Sequence, residues 1–197
     1  MIRSLFHRSR DRALSTSLSA ASKDVLRRHL TLLSPQNLQT LEQCIRTVDN
    51  QRIPGDFAQC GIDAGGVSAV LISMLSPPRC FRGYTTVNGS HEAAPTLGPD
   101  DDGRRISFHL ADPRAGSLSI DHHAIALAHI NGGDAEATVF YLNALSPHLS
   151  PGGFIIVNDR NSYDSSRDIV NRYLIDMPGF SLDCSIRSSF VLQSSRI

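Results

Sequence analysis

Six residues, Phe57-Ala58-Gln59-Cys60-Gly61-Ile62, run straight into Asp63-Ala64-Gly65-Gly66, and from there into the apolar stretch Val67 to Leu75. The first run has the length and apolar content of a buried strand. The last has the length and composition of a buried helix. The glycines between them make a turn that lets a ligand approach the backbone, and the helix start adds the positive end of a dipole. Any tight connection from strand to helix uses the same residues, so the turn alone weighs equally for structure and for a ligand. Strand followed by helix is the unit from which parallel sheets are built.

The rest of the chain repeats that alternation. Ser34-Pro35 reads as a helix start, with Ser as N-cap and Pro where its missing N–H costs nothing. Leu38, Leu41, Ile45 and Val48 follow at helical spacing, up to the turn Ile53-Pro54-Gly55-Asp56. Strands are predicted at Cys80–Tyr84, Ile106–Leu110 and Ala124–Ile130, the last an almost unbroken apolar run suited to a central parallel strand. Residues 85–104 and 112–123 read as loops, and Ala135–Leu145 reads as a helix. Ser150-Pro151-Gly152-Gly153 reads as a turn before a fifth strand, Phe154–Val157, and Ser165–Leu174 as a further helix. Two runs between Phe180 and Leu192 read as an antiparallel hairpin. The fold class expected is α/β: a doubly wound, mostly parallel, seven-stranded Rossmann-like sheet, covered on both faces and closed by a C-terminal hairpin. Ligands of such sheets bind beyond the carboxyl ends of the strands, here Gly61, Tyr84, Leu110, Asn131 and Asn158.

A length of 197 residues is that of one domain. The first residues are rich in Arg and Ser and poor in acids, as in an organelle transit peptide; the reading preferred is an N-terminal arm over 1–30, flexible or helical, that becomes helical near Ala20 and precedes a domain over 31–197. Lys+Arg and Asp+Glu both number 19, which argues against a nucleic-acid partner. No apolar run is long enough for a membrane span. Cys44, Cys60, Cys80 and Cys184 have no metal-like or redox-like spacing, and a reducing cytoplasm is the compartment expected.

Longer motifs are more specific. Ile53-Pro54-Gly55-Asp56 with the strand and glycine turn, Ile125–Thr138 (IALAHINGGDAEAT) and Leu149–Tyr173 (LSPGGFIIVNDRNSYDSSRDIVNRY) resemble three motifs of the macrocin O-methyltransferase (TylF-like) family. The resemblance runs from about Leu30 to Tyr173. It implies S-adenosylmethionine, a divalent metal and methylation of a hydroxyl on a sugar or other small natural-product scaffold. Carried over residue by residue, the cofactor positions are Gln59, Gly61, Gly65, Gly66, Ser68, Tyr84, Thr85 and Asn131. The metal positions are Asn131, Asn158 and Asp159, and the catalytic candidates Asn131, Asp159 and His109.

Several of these positions depart from the family pattern. Gln59 stands where a carboxylate is usual, and no acid follows the second strand at Tyr84 or Thr85, although Glu92 lies in the next loop. Asn131, Gly133 and Asn158 replace metal-site acids, with Asp134 one residue past the expected place. Mg²⁺ favours charged oxygen ligands, so its site is expected to be weakened. Asn131 cannot take a proton near neutral pH. His129 reads as a core or supporting residue. His91 falls in a loop, Asp121, His122 and His123 at the wrong end of a strand, Asp100 to Asp102 in a solvated turn, and Arg160 and Arg167 on the surface. The functions weighed are an S-adenosylmethionine-dependent O-methyltransferase of natural-product biosynthesis, a relative that has lost methyl transfer and serves as an auxiliary protein or performs a cyclisation or isomerisation, and a plain binding or dimerisation module. A small-molecule substrate is expected; a homo-oligomer or a partner enzyme stays open.

Overall fold

The computed structural model describes residues 18–85, 105–116, 118, 120, 123–158, 163–186 and 189–195. Helix α1 is Ala20–Arg27 and α2 Pro35–Asn50. Strand β1, Asp56–Cys60, leads to α3, Gly66–Ser73, then to β2, Phe81–Thr85, and β3, Ile106–Leu110. After these come β4, Ile125–Asn131; α4, Ala135–Leu145; β5, Leu149–Asn158; α5, Tyr163–Asp176; β6, Phe180–Ile186; and β7, Ser189–Ser194.

All seven strands join one sheet in the order β3-β2-β1-β4-β5-β7-β6. The first five are parallel, and β7 lies antiparallel to both β5 and β6. The chain winds outward from β1 in one direction and from β4 in the other. A crevice therefore opens between the carboxyl ends of β1 and β4, the switch point of the sheet.

The strands' two-residue period sorts their side chains into two cores. Phe57, Phe81, Leu127, Phe154, Ile156 and Val191 face α1, α2 and α3. Ala58, Tyr84, Ala128, Ile130, Ile155, Val157 and Leu192 face α4 and α5. The start of α2 follows the sequence closely: the Ser34 hydroxyl accepts the Asn37 N–H at 3.2 Å, Pro35 opens the helix, and Leu38, Leu41, Ile45 and Val48 are buried.

Ser150 to Gly153, expected as a turn, lie inside β5. Two steps along β4, Ile125 to Leu127, match five along β5, Leu149 to Phe154, so the Pro-Gly-Gly segment is an irregularity within a paired strand. It is held on both sides: the Ser150 hydroxyl donates to Pro54 O at 2.6 Å, and Gln193 Nε2 donates to Gly152 O at 3.1 Å. The arm also takes part in the packing. Val25 of α1 is buried, and the Gly66 N–H donates to Leu30 O at 3.0 Å. Residues 1–17 fall outside the described part of the chain.

Candidate functional site

A cleft of about 520 Å³ opens at the switch point. Its floor is the turn after β1, Gly61-Ile62-Asp63, and the turn after β4, Asn131-Gly132-Gly133-Asp134. Thr85 at the end of β2, Asp112-Pro113-Arg114 after β3, and Glu136, Ala137 and Tyr141 of α4 complete the wall. Gly61 is required where it stands. Its φ is 77°, and a Cβ there would lie 1.8 Å from the Asn131 carbonyl oxygen. The two strand ends are in contact through this glycine, which brings the β1 and β4 turns into one site.

The described lining is acidic. Asp63, Asp112, Asp134 and Glu136 face one cation, Arg114. Asn131 Nδ2 donates to Asp63 Oδ2 at 2.7 Å across the crevice. The Asp134 carboxylate caps α4 by accepting the Ala137 N–H at 2.8 Å, and Asp112 accepts the Arg114 N–H at 2.9 Å. Such a surface favours a cationic ligand.

Of the predicted cofactor residues, Gly61, Thr85 and Asn131 line this cleft, and Gln59, Gly65, Gly66, Ser68 and Tyr84 do not. Gln59 and Ser68 are buried and bonded to each other, Ser68 Oγ donating to Gln59 Oε1 at 2.7 Å. The α3 N-terminus is already engaged by Leu30. Tyr84 is buried, with its ring stacked on His109 at a centroid distance of 5.4 Å. His109 Nε2 is 2.9 Å from Ser107 Oγ, so the third strand's histidine is held at the sheet edge. Asp63, Asp112, Arg114 and Glu136 are not among the site residues expected from sequence, and Asp134 is there only as an acid one residue past the expected place. The available signal is position, since Asp63 stands three residues after β1 and Asp112 two residues after β3.

Asn158 pairs with Asn131 in register at the end of β5 and is buried. Its Nδ2 donates to His129 Nε2, and its Oδ1 accepts from the Ser189 hydroxyl. His129 is buried and desolvation pulls its pKa down to about 4, so it is neutral at pH 7. Asp159, the remaining metal and catalytic candidate, lies outside the described residues, as do His91, Glu92, Asp100 to Asp102, Asp121, His122 and Arg160.

The macrocin-O-methyltransferase (TylF) family model matches residues 4–106, slightly more than half of the chain and inclusive of β1 and its glycine turn. The chain belongs to this family. A Streptomyces olivaceus relative, 8-demethyl-8-(2,3-dimethoxy-alpha-L-rhamnosyl)-tetracenomycin-C 4'-O-methyltransferase, is 28% identical over an alignment 175 positions long, gaps included, that covers 73% of this chain and 67% of the relative. Demethyldecarbamoylnovobiocin O-methyltransferase from Streptomyces niveus is 22% identical over the same shares. The solved structure of the O-methyltransferase NovP superposes with a TM-score of 0.72 at 19% identity, covering 84% of this chain and 82% of that one. TomG from Streptomyces achromogenes, solved with S-adenosylmethionine, gives 0.57 at 13% identity over 96% and 94%. Both structures share the fold described above.

As a macrocin-O-methyltransferase family member, the chain is an S-adenosylmethionine-dependent O-methyltransferase-like protein. The cleft suits that cofactor, because its volume lies in the range of small-molecule sites and its acids match a ligand with a sulfonium and an ammonium group. The described donors do not suit a divalent cation. Asn158 is a neutral amide engaged through both polar atoms, and Asn131 is a neutral amide whose N–H is engaged by Asp63 and whose buried Oδ1 has no partner among the described residues. Among the described residues no group of three or more His, Cys, Asp or Glu side chains is placed to hold one. Among the described residues, no helix is long and apolar enough to cross a membrane.

Proposed function

We propose that this chain transfers a methyl group from S-adenosylmethionine to a hydroxyl of a sugar or comparable small natural-product scaffold, with the cofactor in the cleft at the β1–β4 switch point. The observation that carries the reading is the acidic crevice built on Gly61 and bridged by Asn131 and Asp63. The names of the two Streptomyces relatives, a rhamnosyl-tetracenomycin 4'-O-methyltransferase and a novobiocin-precursor O-methyltransferase, support the acceptor class.

Bound S-adenosylmethionine supplies a methyl group activated by its sulfonium. The protein's part is chiefly to bind and align, since a near-attack geometry removes most of the entropic barrier to such a transfer. Gly61 lets the cofactor approach the backbone, Thr85 offers a hydroxyl at the end of β2, and Asp63 and Glu136 attract positive charge. Gln59 and Ser68 brace the β1–α3 turn from behind. His109, stacked on Tyr84, limits the third-strand side. No described histidine lines the cleft, so the acceptor's proton leaves to a cleft carboxylate or to water.

Calorimetric titration with S-adenosylmethionine tests the reading. Micromolar binding, weakened about tenfold in Asp63→Asn, is the expected result; failure of the folded protein to bind at millimolar ligand would sink it. A second reading, a protein that binds the cofactor but no longer transfers the methyl group, is favoured by the neutral Asn131 and Asn158. Binding without methylation of any hydroxylated sugar or phenol scaffold would select it.

A further inference from the structure

Of the three positions where family resemblance calls for metal-holding carboxylates, two are asparagines and the third, Asp159, lies outside the described residues. Asn158 is committed through both polar atoms, Asn131 through its amide N–H. Asn158 is 4% exposed, and both of its polar atoms are spoken for, one by His129 and the other by Ser189. The three residues lie on β4, β5 and β7, with Ser189 in register with Asn158. They form one hydrogen-bonded chain across the carboxyl ends of β4 and β5 and the amino end of β7. Asn131 spends its amide N–H on Asp63, and its Oδ1 is enclosed away from solvent with no hydrogen-bond partner among the described residues. Gly133, at the place of another family acid, contributes no side chain.

A Mg²⁺ site needs several hard oxygen ligands, carboxylates among them, gathered around one point. The cleft's acids line its wall, but among the described residues no three His, Cys, Asp or Glu side chains are grouped to hold an ion. Here the Asn158 oxygen is buried under a hydroxyl and the Asn131 oxygen is enclosed. Replacing a metal by a chain of neutral hydrogen bonds gives a fixed geometry without burying net charge, the less costly arrangement in a low-dielectric floor.

We infer that this site operates without a divalent cation, and that the Ser189–Asn158–His129 chain is a strut fixing the ends of β4, β5 and β7 where a metal would otherwise tie them. The inference deepens the methyltransferase reading of the same cleft, but its cation arm does not depend on any cofactor.

The test uses the full chain stripped with EDTA. In the first arm, free Mn²⁺ is followed by its electron paramagnetic resonance signal during titration into the protein alone. Mg²⁺ is added in parallel to a thermal melt. The expected result is no saturable loss of free Mn²⁺ signal up to millimolar ion and no Mg²⁺-dependent rise in melting temperature. Saturable binding, or a melting temperature that climbs with Mg²⁺, overturns the inference. In the second arm, Ser189→Ala and Asn158→Ala are compared with Ser189→Thr, which keeps the hydroxyl. Both alanine variants should melt lower and the threonine variant should recover most of the loss; unchanged melting in both alanine variants overturns the strut. In the third arm, S-adenosylmethionine is titrated with EDTA and with Mg²⁺. Equal affinity supports the inference, and tightening by about tenfold or more with Mg²⁺ overturns it. Absence of cofactor binding in both conditions counts against the proposed function and leaves the Mn²⁺ result to decide the cation question.

Discussion

His129 ties the chemistry of the site's floor to the stability of the fold. It is 1% exposed, and burial brings its pKa from the ordinary 6.5 down to about 4. Between those two values the unfolded chain binds a proton that the folded chain refuses, so protonation favours unfolding. Stability should therefore fall as pH drops from about 6.5 to about 4 and lose nothing further from this group below that, by on the order of 3 kcal/mol in all. Urea midpoints across this window check it. His129→Gln keeps an acceptor for the Asn158 amide but cannot titrate, so its profile should be flatter than that of the unaltered protein. Parallel profiles for the two proteins would refute the assignment. The histidine itself was visible in the sequence, but its partners were not, because Asn158 and Ser189 reach it only through strand pairing.

At the scale of elements, α1 is attached through one buried carboxylate. Glu42 on α2 is 1% exposed; its Oε1 accepts the Ser19 N–H at 2.9 Å and its Oε2 accepts from Arg46 at 2.7 Å. Burial alone would raise its pKa, but the hydrogen bonds from Ser19 and Arg46, with the Ser22 hydroxyl nearby, outweigh that and hold it below the ordinary value. The carboxylate is thus ionised at neutral pH, and the stability it adds is lost as pH falls through its folded pKa. Glu42→Ala strips Ser19 and Arg46 of their acceptor, at a cost of about 2 kcal/mol. Hydrogen exchange should speed up in α1 and leave β4 protected; equal acceleration in both would show that α1 is not separately held. The elements themselves were largely legible. Residues 106–110 and 135–145 carry their boundaries in periodicity and flanking turn residues, and Ser34-Pro35 marks the start of α2. Pro151-Gly152-Gly153 misleads for a physical reason. Turn residues inside a strand are tolerated when side chains from elsewhere secure the backbone, here Ser150 on Pro54 and Gln193 on Gly152. Local sequence carries no trace of those partners.

At the scale of the whole molecule, the cleft shows why a site is harder to read than a fold. Its four acids come from three separate stretches, after β1, after β3 and at the start of α4, and only the switch in strand order brings them together. The glycine turn was legible because it is local; the acidic lining is not local. The same topology makes stability a property of the entire sheet. The β6–β7 hairpin contributes no described residue to the cleft, yet it supplies Phe180, Phe190 and Leu192 to one core and Val191 to the other, each no more than 7% exposed. Burial of four such side chains is worth about 1.5–3 kcal/mol apiece. Their sum is comparable to the whole stability of an ordinary domain, about 5–15 kcal/mol. A chain ending at Pro178 should therefore lack a cooperative urea transition by circular dichroism and should fail to bind S-adenosylmethionine, although its described cleft residues are all present. A sharp transition with cofactor affinity retained would mean instead that β1 to α5 fold as an independent unit and that the hairpin is an accessory to it. The first outcome is expected because β7 pairs with β5 from residue 154 to residue 158. Removing it turns an interior, apolar strand into an unpaired edge beside the site, and takes from Phe154 to Val157 the apolar neighbours that β7 supplies.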